Sequence, residues 1–199
     1  MRKISLHRLS RTLLNSTQQS IDSETLYDFK EIFDEETLRA LHSFKVQHED
    51  TAVPQQEEKQ RKGWTCNDLQ ANCPLDAGDL EVILATINEL CGANFDHISL
   101  ALWEDSEGYK IDKHVDNKSF TAAMQIFLPT YLQDMKLQDS EPLRNTGTQF
   151  YKNNSEDIIQ VPFIPNTGYF VTNSQKVFHS SGEPVPHGLI RSSAYFIFR

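Results

Sequence analysis

Cysteine is scarce in this 199-residue chain. Cys66, Cys73 and Cys91 are an odd number, and no two of them make a CxxC pair. That pattern excludes a disulfide framework and a cysteine zinc site, and it points to reduced thiols in a cytoplasmic protein. Long apolar runs are missing as well. None reaches the roughly 18 residues that a membrane helix needs, and no stretch near the start has the length and flanks of a secretory signal. Positive charge is also short, with 19 Lys and Arg against 28 Asp and Glu, a formal net charge of −9. Nucleic acids and anionic membranes are bound by basic faces, so neither is an expected partner. Apolar residues are not short: at 38% they can fill a core without crosslinks, and a chain of this length buries roughly 70% of its unfolded surface. One domain over 1–199 is expected. Acids are absent until Asp22, while Arg2, Lys3, Arg8 and Arg11 precede it among Ser, Thr and Leu. Such a start is read more readily as a basic first strand or helix of the folded protein than as an organelle transit peptide.

Residues 1–94 read as a helical and loop part. Asp34-Glu-Glu opens a stretch in which Leu38, Leu41 and Phe44 recur at three-residue spacing, which predicts an amphipathic helix with an acidic start. Asp76 caps a second, with Leu80, Ile83, Leu84, Ile87 and Leu90 as one apolar stripe and Gly92 as its stop. Between them, His48 to Leu75 is rich in Gln, Glu, Lys and Asn and reads as a long loop, with Trp64 packed onto the core. From residue 95 the texture becomes β. Ile98, Leu100 and Leu102 alternate with Ser99, Ala101 and Trp103, and further runs follow at 120–128, 147–151, 158–163, 168–172, 176–179 and 191–198. Short strands with turns and no intervening helix predict an antiparallel sandwich, barrel or jelly roll. The expected class is α+β, two N-terminal helices packed on a β-core over 95–199.

Candidate chemistry begins at Lys113-His-Val-Asp116. His114 and Asp116 stand two apart at a strand end, so both side chains face one way and can take adjacent positions around a metal. Alone the tripeptide says little. His179 ends a later apolar run and supplies a second imidazole, whereas His187 sits inside the Pro/Gly turn only four positions before Arg191 and His97 precedes a strand. Two histidines and a carboxylate form a facial set suited to iron(II), with three positions left open. Arg191, twelve positions beyond His179, opens the last strand and offers a planar fork to a carboxylate. Ser193, two further on, faces the same way. Gln125, polar within an apolar strand, Tyr109, Tyr151 and Asn173 are candidate pocket residues.

The set His114-x-Asp116 … His179 … Arg191-x-Ser193 resembles the 2-oxoglutarate- and Fe(II)-dependent oxygenase superfamily over about half the chain. Gly108 before the tripeptide, the glycine–aromatic strand Gly147–Tyr151 and the turn Pro165–Gly168 agree with it. The resemblance implies a distorted double-stranded β-helix (jelly roll) fold. It implies a dioxygenase in which His114, Asp116 and His179 hold Fe(II), while Arg191 and Ser193 bind the distal carboxylate of the co-substrate 2-oxoglutarate. O2 is the second co-substrate, and the substrate is a small molecule or a peptide side chain. Because a carboxylate stands at position 116, where halogenating relatives carry a small residue, the implied reaction is hydroxylation, desaturation or demethylation. The alternative is a cupin-like β-sandwich that binds metal or ligand without redox turnover.

Overall fold

The structure, a computed structural model, describes residues 16–47, 53–54, 60–65, 75–131 and 136–199. Eleven strands occur among them: β1 Thr17–Ile21, β2 Glu24–Lys30, β3 Val53–Pro54, β4 Arg61–Thr65, β5 Ile98–Asp105, β6 Ala122–Leu128, β7 Thr148–Tyr151, β8 Ile158–Val161, β9 Thr167–Thr172, β10 His179–Ser181 and β11 Arg191–Phe198. The described helices are α1, Glu35–Gln47, and α2, Ala77–Cys91, with two short 3-10 turns beside them. No helix among the described residues is long and apolar enough to cross a membrane.

Eight strands form one sheet in the order β1-β2-β9-β6-β11-β5-β4-β3, and β10-β7-β8 form a second. The pairings are antiparallel throughout. The two sheets and the helices stack as three layers. Period-2 alternation sorts the residues of β11 between them. Ala194, Phe196 and Phe198 join the cluster that holds Leu38, Leu41 and Phe44 of α1 and Ile83 and Ile87 of α2. The opposite set, Arg191, Ser193, Tyr195 and Ile197, faces the second sheet. There Ala123, Phe127, Tyr169 and Val171 of the large sheet pack with Phe150, Val161, Phe163 and Val177. This is the jelly-roll core with helices on its outer face that the sequence predicts.

Both helices form for the expected local reasons. The Asp34 carboxylate accepts from the Thr37 N–H at 2.8 Å at the start of α1. At α2, Asp76 and Asp79 cap each other's backbone N–H at 3.0 Å, and Gly92 closes the helix in the left-handed region at φ 64°.

Differences lie mostly in the first third of the chain. Residues 17–30, which no apolar pattern marks as strand, form the hairpin β1–β2 at one edge of the large sheet. Its outer strand is largely exposed, so it carries little alternation to read. The stretch 48–75 is likewise not all loop: β3 and β4 lie within it and extend the opposite edge. Trp64 is buried there, as its size suggests. The N-terminal part thus contributes four strands of the eight-stranded sheet, not only helix and loop. The run at 176–179 is a turn until its last residue; Lys176 N–H donates to the Asn173 carbonyl at 2.7 Å, and Val177 fills the core without pairing.

Candidate metal centre

After β5 the chain turns through Gly108 at φ 79°, a left-handed conformation that suits glycine. It then runs back alongside β10. His114 and His179 exchange backbone hydrogen bonds at 2.9 and 2.8 Å as an isolated antiparallel bridge, which brings their rings to 4.4 Å between centroids. Asp116, two residues on, reaches the same spot, and its Oδ1 lies 3.5 Å from His179 Nε2. One ligand atom from each of the three lies within 4.8 Å of the others, the group among the described residues that could hold a metal ion.

Each ligand is oriented by a second contact. His114 Nδ1 lies 2.8 Å from the Asp112 carbonyl, and His179 Nδ1 lies 2.9 Å from the Val177 carbonyl. A carbonyl accepts only, so Nδ1 carries the proton in both rings and each Nε2 keeps a lone pair for a metal. Burial, and then the neighbouring His179, hold the His114 pKa below the ordinary imidazole value. Tyr195 Oη donates to Asp116 Oδ2 at 2.9 Å, leaving Oδ1 as the oxygen turned to the histidines. Burial pushes the Asp116 carboxyl up, but the neighbouring His179 and the Tyr195 hydroxyl outweigh it and hold the pKa below the usual value. Burial, with the Asp116 charge next, raises Tyr195 well above an ordinary phenol, so it remains a proton donor. Two neutral imidazoles and one carboxylate are the donor set that suits iron(II). Tyr195→Phe removes one orienting contact. The expected loss is about 10–100-fold in Fe(II) affinity with a near-normal melting temperature, read by anaerobic metal titration.

A cavity of about 250 Å³ joins the triad to Arg191, with Gln125, Trp103, Tyr195 and Ile197 among its walls. Gln125 is locked in place. Its Nε2 donates to Ser193 Oγ at 3.1 Å, and its Oε1 accepts from Tyr169 Oη at 2.9 Å and Thr148 Oγ1 at 3.3 Å. At the buried end, the sheet register sets Arg61 of β4, Asp105 of β5 and Arg191 of β11 in one cross-strand row. Asp105, fully buried, accepts from both arginines: Arg61 at 2.6 and 3.2 Å, Arg191 at 3.1 and 2.8 Å. Arg191 also donates to the Thr146 carbonyl. Tyr109 packs against both guanidiniums, 4.3 Å from Arg61 and 5.7 Å from Arg191.

The residues singled out from sequence divide accordingly. His114, Asp116, His179, Arg191 and Gln125 line the cavity, and Ser193 sits buried behind Gln125 on the same strand face. Tyr109 lies beneath the arginines. Tyr151 points elsewhere, its Oη 2.8 Å from Ser180 Oγ, and Asn173 donates to Glu24 at 2.6 Å, away from the cavity. His187 is exposed against Glu107 at 2.5 Å. Sequence reasoning missed Arg61, Asp105, Tyr195, Thr148 and Tyr169. Tyr195 carried a signal, four residues past Arg191 on an alternating strand; Arg61 and Asp105 meet only through sheet pairing.

A second titration belongs to the scaffold. His42 is buried in α1, and burial, then the Lys45 charge, lowers its pKa. With His114 also lowered, the folded, metal-free protein keeps two imidazoles neutral where the unfolded chain binds protons near pH ~6.5. Stability contributed by these groups is present above that value and is lost as pH falls through it. The melting temperature of metal-free protein should therefore be lower at pH 5.5 than at 7.5, and a flat profile over that window would contradict the assignment.

No family model and no curated protein matches the chain. Solved structures do. A Pseudomonas putida prolyl-4-hydroxylase superposes with TM-score 0.64 at 13% identity, covering 98% of each chain. A Trichoplax adhaerens prolyl hydroxylase, in complex with a peptide fragment of the hypoxia inducible factor oxygen degradation domain, gives 0.64 at 10% identity over 97% of this chain and 90% of that one. The epimerase SnoN, bound to Fe3+, alpha ketoglutarate and nogalamycin RO, gives 0.62 at 11% over 98% and 83%. Identities this low speak to fold, and fold does not fix function. The chain has the fold of the 2-oxoglutarate- and iron(II)-dependent oxygenases.

Proposed function

We propose that the protein is an Fe(II)- and 2-oxoglutarate-dependent dioxygenase that hydroxylates an organic substrate. One observation carries the reading: one and the same cavity is lined by His114, Asp116 and His179 and also by Arg191. A metal-binding β-sandwich without turnover has no need of a guanidinium in that place. Iron held there would activate O2, the oxidant of this chemistry, with two of the four electrons coming from 2-oxoglutarate, which leaves as succinate and carbon dioxide, and two from the substrate.

The chain's own residues bind and orient. His114 and His179 would hold the metal through Nε2 and Asp116 through Oδ1, a three-residue set that leaves further positions open for other ligands. Arg191 is fixed by Asp105 through Nε and Nη2 and by the Thr146 carbonyl through Nη1, which leaves one N–H on each Nη to take the distal carboxylate of the keto acid. Ser193 Oγ accepts from Gln125 Nε2 and holds that amide in the cavity wall beside Arg191. Tyr169 and Tyr195 stay protonated beside them. Trp103, Phe127 and Ile197 supply the apolar part of the cavity wall, where a hydrogen bond counts for more than in water. The cavity is smaller than the roughly 300–1,000 Å³ of drug-sized pockets. A small molecule or peptide therefore inserts only its reacting part once the keto acid is in place. O2 is the remaining co-substrate, and the cytoplasm the expected compartment.

The test is succinate release in air from Fe(II)-loaded protein given 2-oxoglutarate and a panel of metabolites and peptides. Succinate that depends on iron, and is lost in Arg191→Ala while metal binding is kept, supports the reading. No succinate above the metal-free control overturns it in favour of a non-redox binding protein.

A further inference from the structure

Arg191 and Asp105 alone form a neutral pair, and a neutral pair gives the buried end of a cavity little hold on an anion. Arg61 alters that balance. It stands in the same cross-strand row, lines the same cavity, and shares the single Asp105 carboxylate with Arg191. Its place is fixed from both sides, with the Tyr109 ring at 4.3 Å and the Trp103 ring at 4.8 Å. Gly63 makes room for that packing: a Cβ there would lie 2.2 Å from the Trp103 ring. The Arg61 charge is also felt along the cavity, where it opposes the upward shifts of Tyr169 and Tyr195.

We propose that Arg61 is a second anchoring residue for the co-substrate, supplying the charge by which the cavity selects a keto acid with a distal carboxylate over one without. The inference rests on the oxygenase reading above. Among the described charged groups at the cavity, Arg61 and Arg191 stand against Asp105 and Asp116, and the histidines ligate a metal as neutral rings. A divalent ion then leaves two positive charges, which one dianionic keto acid cancels. With Arg61 neutral, the same keto acid would leave a net buried negative charge, which is costly away from water.

Anaerobic calorimetric titration of the Fe(II)-loaded protein with 2-oxoglutarate and with 2-oxopentanoate, which lacks the distal carboxylate, tests this. Arg61→Gln should bind 2-oxoglutarate roughly tenfold or more weakly and 2-oxopentanoate nearly as well as the unaltered protein. The double variant Arg61→Gln with Asp105→Asn loses one charge of each sign and should regain several-fold in 2-oxoglutarate affinity over Arg61→Gln. Equal weakening for both keto acids, or a double variant weaker than the single, would assign Arg61 to scaffolding and overturn the inference. So would unchanged 2-oxoglutarate binding in Arg61→Gln. If Arg61→Gln does not fold, Arg61→Lys, which keeps the charge, decides: the preference for 2-oxoglutarate should persist, and its loss overturns the inference. Failure of the unaltered protein to bind 2-oxoglutarate at all would instead overturn the oxygenase reading.

Discussion

His179→Ala should abolish iron binding at ordinary concentrations and, with it, succinate formation. Changes in contacts that merely orient a metal ligand cost about 10–100-fold in affinity, and removing a ligand from a set of three should cost more. The fold should survive, because the bridge between residues 114 and 179 is made by backbone groups that alanine keeps. The void left beside Phe150 and His114 costs some stability, but no strand pairing depends on the imidazole. Far-UV circular dichroism should therefore match the unaltered protein while anaerobic Fe(II) titration shows no tight site. His187→Ala serves as the control. That residue is exposed and pairs with Glu107, so iron binding should be unchanged; a loss there equal to that of His179→Ala would move the metal site elsewhere.

Asp105→Ala is the largest expected loss of stability. The carboxylate is fully buried and accepts four hydrogen bonds from two guanidiniums, both also buried. Removing it leaves two positive charges facing each other across the gap. Breaking a buried charge cluster by deleting one partner costs about 3–5 kcal/mol, and at roughly 2–4 °C per kcal/mol for a chain of this size the melting temperature should fall by roughly 6–20 °C. Asp105→Asn keeps the volume and part of the hydrogen bonding and should fall less. A melting temperature within a degree or two of the unaltered protein in Asp105→Ala would mean that the arginines find other partners, and that the cross-strand row is not a structural element.

How far the sequence is legible follows from how local each signal is. The helices were readable because a cap, a stripe and a stop lie within a few turns of one another, as at Asp76, Ile83 and Gly92. The central strands were readable because both of their faces are covered: β6 is almost wholly apolar, and β11 alternates between the helix layer and the cavity. The metal ligands were readable because His114 and Asp116 are two apart, and Arg191 because it opens the last strand; His179 and Arg191 are not hairpin partners, since their strands lie in different sheets and both line the cavity. Edge strands were not. β1 and β4 bury little or carry polar residues for reasons that exist only after pairing; Arg61 and Lys62 look like loop residues until Asp105 and Glu104 are opposite them. For the same reason the anion-binding end of the cavity was half visible, as Arg191, with its partner in the row hidden. The buried Lys45, which reaches Glu104 at 2.6 Å and Ser192 at 3.0 Å, is a further case, a charge on an otherwise apolar helix face explained by its partners in the sheet.

The central claim is that this cavity holds iron and a keto acid together. Its most direct test is the anaerobic addition of 2-oxoglutarate to Fe(II)-loaded protein, followed by visible absorption. A weak charge-transfer band that saturates at one equivalent, and is absent in His114→Ala, is the result expected. Tight iron binding with no band, or a band that persists in His114→Ala, would contradict the account.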